Sequence, residues 1–155
     1  GRPHRYAQSH PDALAREAAS NLSALAQYRS LARGIEWQQR TVEIAERSGD
    51  RRSLAWQHAQ LSFVHVLAGD VPSAELAVEA ARSLAGAELS GRWGDNVAMA
   101  TAVVRAVAGR TDDAEQICRE LIAAGLRDER HLHVHYASCF LVDLLTARGA
   151  LDDAD

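Results

Sequence analysis

The feature that most constrains this chain is the even spacing of its glycine breaks. Gly34, Gly69, Gly109 and Gly149 stand 35, 40 and 40 residues apart, inside the short sites Ala32-Arg33-Gly34, Ala68-Gly69-Asp70, Ala108-Gly109-Arg110 and Arg148-Gly149-Ala150. Three of the four are followed five residues later by an alanine, Ala74, Ala114 and Ala154. Two copies even share a tripeptide, Asp112-Asp113-Ala114 and Asp152-Asp153-Ala154. Self-similarity at such a period marks a repeat architecture, whose units bury their apolar faces against one another.

Each part of the unit has a physical role. Glycine after a helix adopts the left-handed conformation that closes the last turn. Acidic residues just beyond it sit in the first turn of the next helix, at the positive end of its dipole. Thr111 is expected to cap one such helix, and Pro72 to occupy an early position where a missing N–H costs nothing. The alanine lets the second helix approach the first closely. Upstream of each glycine, apolar residues recur at helical spacing: Leu22, Leu25 and Leu31, then Leu61, Val64 and Leu67, then Val97, Val103, Val104 and Val107, then Leu141, Leu144 and Leu145. Downstream, Leu76, Val78 and Leu84 mark one second helix, and Ile117, Leu121 and Ile122 another. No stretch alternates as a strand would.

The spacing predicts helices over 11–33, 35–48, 52–68, 71–86, 93–108, 111–124 and 129–148, with an eighth beginning near 151. The expected fold is all-α, a right-handed stack of antiparallel helix pairs with seven to eight helices. Residues 1–155 form one helical-repeat domain, with repeats over about 11–49, 52–87, 93–125 and 129–155. Thirty alanines and only three prolines favour helix throughout. The last pair lacks its second helix and the chain opens on Gly1, so the expectation is a piece of something larger.

All 17 basic residues are arginine, interspersed with 21 acids to a net charge of −4. No basic stripe exists to meet a phosphate backbone, which argues against direct nucleic-acid binding. No apolar run reaches the length of a membrane span. Two distant cysteines, Cys118 and Cys139, fit a reduced, cytoplasmic setting rather than a disulfide scaffold.

The residues Leu61, Gly69, Ala74 and Ala81 resemble the pattern of tetratricopeptide repeats, which place small residues near the end of the first helix and at two points of the second. The resemblance spans most of the chain and is strongest over 52–124. It departs where the family has bulky aromatics, since His58 and His65 stand there, where Leu121 replaces the last alanine, and where Gln39 replaces an alanine of the first repeat. The 40-residue period, longer than the family's usual one, is similar to the helical arrays of large bacterial regulators of the MalT and LuxR type. Such a resemblance implies a noncatalytic module of a transcriptional or signalling regulator that binds a protein, peptide or small effector in a concave groove. Carried over residue by residue, the groove positions are Asn21, Leu25 and Tyr28; Trp56, Gln60 and Phe63; Asn96, Met99 and Val103; and Tyr136, Phe140 and Asp143. The clamp with which the family grips chaperone tails needs a lysine that this sequence lacks.

Chemistry has few footholds. His131, His133 and His135, followed by Cys139, would share one face of a strand, whereas on a helix His131, His135 and Cys139 form a stripe. Either arrangement presents residues of the kind that ligate zinc, although no fourth ligand is evident nearby. A helix with half-buried histidines explains them as well. His58 and His65 lie seven apart and read as interhelix packing, because no serine or cysteine in matching context accompanies them. Cys118 reads as a packing residue. There is no glycine-rich phosphate loop with lysine. The sequence thus points to no enzyme and no cofactor. Its rival readings are a structural spacer or homodimer built through the exposed terminal repeat, and a metal protein or enzyme centred on His131, His133 and His135.

Overall fold

The structure, a computed structural model, describes residues 18–22, 24, 26, 29–86 and 91–149. Among them the chain is all-helical, as expected. Beyond a helical stretch at 18–22, six helices follow: α1 (Leu31–Ser48), α2 (Arg51–Leu67), α3 (Val71–Ala85), α4 (Arg92–Val107), α5 (Thr111–Arg127) and α6 (His131–Ala147). The anticipated eighth helix near 151 lies outside the described residues.

The helix ends follow the local chemistry. Ser30 caps α1 through Arg33 N, Asp50 caps α2 by accepting from Arg52 N and Ser53 N, and Asp70 caps α3 by accepting from Ser73 N. Hydrogen bonding with Ser73 holds the Asp70 carboxyl below its ordinary pKa. Pro72 sits in the first turn of α3, where its missing N–H breaks nothing. Gly69 and Gly109, at φ +74 and +80, take the left-handed conformation that ends α2 and α4.

Three expectations need correction. Gly34 does not end a helix: it is buried inside α1, whose start is fixed upstream by the Ser30 cap. Thr111 is the first helical residue of α5 rather than its cap, a place taken by Arg110 without any side-chain bond. The helix expected to stop at 124 continues to Arg127, carrying Gly125 within it, and the turn falls on Glu129, at φ +56. Gly125 is buried against the start of α6, where a Cβ would stand 2.5 Å from Val134 Cγ2. Here glycine serves close approach, not a break.

Consecutive helices pack as neighbours. In addition α2 packs on α4, and α4 on α6. These three helices therefore form one layer, while α3 and α5 each fill the side of a pair. The core reflects the alanine-rich sequence. Ala55 and Ala59 of α2, Ala74, Val78 and Ala81 of α3, and Val97, Ala100 and Val104 of α4 make one buried cluster. Ala102, Ala114, Cys118 and Leu144 make a second, joining α4, α5 and α6. Ala74 and Ala114, the alanines five residues past the glycines, are both fully buried, so the small residue does mark close helix approach. Salt links tie one pair to the next: Arg110 reaches Glu75, and Arg148 reaches Glu115 at 2.5 Å and Asp112 at 2.9 Å. Exposed pairs like these contribute little energy but help to hold the register of the stack.

The interface of α1 and α2 is polar. The Gln38 amide donates to Gln57 O at 3.1 Å and Gln57 Oε1 at 2.9 Å, both residues being buried. His58, half-buried on α2, keeps its Nδ1 out of water without a hydrogen-bond partner. Burial disfavours its cation more than the Glu46 carboxylate favours it, so its pKa falls below 6.5. A histidine held neutral by the fold costs nothing above the unfolded pKa. As pH falls through 6.5, the unfolded chain takes up the proton first and stability declines. Urea unfolding at a series of pH values should show that decline, and His58→Gln should make it shallower. An equal slope in the variant would assign the decline to other groups.

Candidate functional site: an apolar cavity on the α2, α4 and α6 layer

Where α2, α4 and α6 meet over α5, their side chains leave a cavity of about 270 Å³. Phe63 enters from α2, Asp95, Asn96 and Met99 from α4, Leu121 from α5, and His133 and Tyr136 from α6. The helical period explains the set: positions 95, 96 and 99 share one face of α4, and 133 and 136 one face of α6. Phe63, Met99, Leu121 and Tyr136 supply apolar surface. Tyr136 is 55% exposed, and its neighbour Leu132 is exposed as well.

One flank of the cavity is ionic. Asp95 is only 7% exposed. Its Oδ2 accepts from Arg130 Nη1 and lies 3.4 Å from His133 Nδ1. Arg130 spends its Nη2 on Asp128 at 2.9 Å, while its Nε is buried without a partner. Asp95 also lies in the first turn of α4, where the helix dipole favours a carboxylate. The charges here compensate one another, so the cavity offers no strong net field to an ion. His133 stands beside Asp95, as a catalytic base stands beside its carboxylate, without a hydrogen bond between them. Yet among the described residues no serine, threonine or cysteine lines the cavity to serve as its nucleophile. Cys118 is fully buried in the core, and desolvation raises its pKa to about 11. It is a packing residue.

Of the twelve groove positions expected from the sequence, Phe63, Asn96, Met99 and Tyr136 come together here. The others do not. Trp56 packs edge-on against Trp93, with ring centroids 5.4 Å apart and planes at 81°. Phe140 lies against the second core cluster, Asp143 and Asn21 are exposed elsewhere, and Gln60 and Val103 are half-buried outside the cavity. Leu25 and Tyr28 lie outside the described residues. The expected groove left out Asp95, Leu121 and Arg130, and the sequence singled out His133 as a candidate metal or catalytic residue, not as a groove residue. A 35-residue separation links Asp95 to Arg130, as it links Glu75 to Arg110, but no local pattern announces either pair.

The histidine run is split by its helix. His133 turns inward to Asp95, whereas His131, His135 and Cys139 stay on the exposed face of α6. Among the described residues no three His, Cys, Asp or Glu side chains gather as a metal-ligand set. His65 is a buried core residue, 3.6 Å from Asp70.

Hollows of about 380 and 310 Å³ lie on another face of α4, between α3 and α5, and share Arg82, Thr101, Ile117 and Glu120. A third, of about 490 Å³, runs beside Leu76 and Arg110. They are larger but more open, and ion pairs such as Arg105 with Glu79 at 2.8 Å cross their walls. None of the residues expected to bind a partner lies in them. No described helix is long and apolar enough to cross a membrane. Compared with known proteins, the chain matches no family model and no curated protein.

Proposed function

We propose that this chain is a noncatalytic binding module that seats a protein segment on its α2, α4 and α6 layer, anchored by one bulky apolar side chain. The cavity carries this reading. Pockets for drug-sized ligands span roughly 300–1,000 Å³, and this one, at about 270 Å³, is the size for a single large side chain rather than a nucleotide or an extended cofactor. Phe63, Met99 and Leu121 offer it apolar contact, and Tyr136 stands at the edge as the kind of aromatic that dominates interface energetics. Asn96 and His133 add polar groups that can orient the peptide around the anchor. The likeness of the sequence to the arrays of large bacterial regulators supports placing the module in such a protein, where a small effector would be the alternative guest.

Peptides selected on the purified chain from a random displayed library provide the test. The selected peptides should share one Trp, Phe, Leu or Met, and Tyr136→Ala should weaken their binding by about tenfold or more, the cost of losing one interface anchor. The exposure of Tyr136 keeps the fold out of that result, which an unchanged melting curve would verify. Full-strength binding to the variant contradicts the assignment.

A further inference from the structure

The exposed face of α6 carries a line of potential ligands, apart from the cavity. His131, His135, Cys139 and Asp143 follow one another at intervals of four and so run in line down one exposed face. Leu132, Tyr136 and Val142 flank that line at 61%, 55% and 44% exposure. Within it, Cys139 Sγ lies 3.9 Å from His135 Nε2 and 4.0 Å from Nδ1. Zinc–sulfur and zinc–nitrogen bonds of about 2.3 and 2.0–2.1 Å, set at a tetrahedral angle, separate the two donor atoms by about 3.5 Å. Small rotations of two exposed side chains reach that geometry. Two ligands one helical turn apart also recur in helical zinc sites.

One chain cannot complete the coordination. His131 lies a full turn beyond His135, and eight residues of helix separate it from Cys139 by about 12 Å. One ion cannot bridge that span, nor can Asp143 and His135 share one. Each chain thus offers two ligands where tetrahedral zinc takes four. A two-fold axis beside α6 would supply the same pair again, since such an interface presents one patch to itself. We propose that the outer face of α6 binds zinc between two copies of the chain, with His135 and Cys139 of each copy as its ligands. Coordination releases the two thiol protons to solvent, leaving two thiolates and two neutral imidazoles on the metal. The apolar side chains beside the line pack against their counterparts as the copies meet. His135 and Cys139 do not line the cavity, while Tyr136 borders both sites, so the two readings are told apart by their probes: metal-linked dimerisation by His135 and Cys139, peptide binding by Tyr136→Ala in metal-free protein.

The purified chain, kept in excess non-chelating reductant so that no disulfide forms, is titrated with zinc while its mass is followed by light scattering. Cobalt serves as the spectroscopic stand-in. The expected result is a doubled mass at one metal per two chains, with a thiolate-to-cobalt charge-transfer band. Cys139→Ser and His135→Gln should abolish both, and His131→Gln should retain both. Four outcomes overturn the proposal: no thiolate band, a monomer that binds one metal alone, a dimer that persists in Cys139→Ser or without metal, or a loss in His131→Gln equal to that in His135→Gln.

Discussion

Ala59→Leu should be among the most damaging single substitutions in this chain. Ala59 is fully buried in the cluster that joins α2 to α3 and α4, whose members include Ala55, Ala74, Ala81 and Ala100. The helices approach closely because these positions carry only a methyl group. Leucine adds three carbons to a space already filled, and interiors packed to crystal density have nowhere to put them. Overpacking of this kind costs typically 1–3 kcal/mol, so a loss of about 3 kcal/mol is expected at so tight a point. For a chain of this size that lowers the melting temperature by about 6–12 °C. Ala123→Leu, the same change at an exposed site on α5, should stay within about 0.5 kcal/mol of the parent. Equal melting curves for the two variants would mean that the alanine seam is not packed as described.

Asp95→Ala should come next in severity, for an electrostatic reason. The carboxylate accepts from Arg130 and stands beside His133 where little water reaches any of the three. Removing one member of a buried ion pair costs about 3–5 kcal/mol, because the other is left charged and unmatched. Arg130 retains Asp128 and is 19% exposed along its side chain, which brings the expected loss to about 2–3 kcal/mol. Denaturant unfolding measures it. If the stranded guanidinium is the cause, adding Arg130→Met to Asp95→Ala should restore part of the lost stability, giving a clear coupling energy between the sites. Additive losses would show that Asp95 acts through something other than Arg130.

The parts of the fold that were legible in the sequence are those set by neighbours along the chain. Gly69 and Gly109 end helices because no local feature competes with them. Gly34 carries the same signal and yet lies buried within α1, because the Ser30 cap begins that helix upstream of it. The helix expected to stop before Gly125 runs through it, and the role of Gly125, admitting Val134 of the next helix, exists only in three dimensions. The cavity divides in the same way. Phe63, Asn96, Met99 and Tyr136 were legible only through the resemblance, whose groove positions they occupy. The Asp95, Arg130 and His133 group depends on how α4 meets the start of α6, which periodicity does not encode. The histidine run left strand and helix open, and the helix separates His133 from His131 and His135.

The chain contains one methionine, Met99, and it lines the cavity. Labelling its methyl carbon therefore gives a single NMR signal that reports from the proposed anchor site. Titration with N-acetyl-tryptophanamide, a free form of the bulky side chain proposed as the cavity's guest, should shift that signal in a saturable way, and the shift should vanish when Phe63→Trp fills the space. A Met99 signal that stays fixed at saturating probe would contradict the central claim that this hollow is where a partner is held.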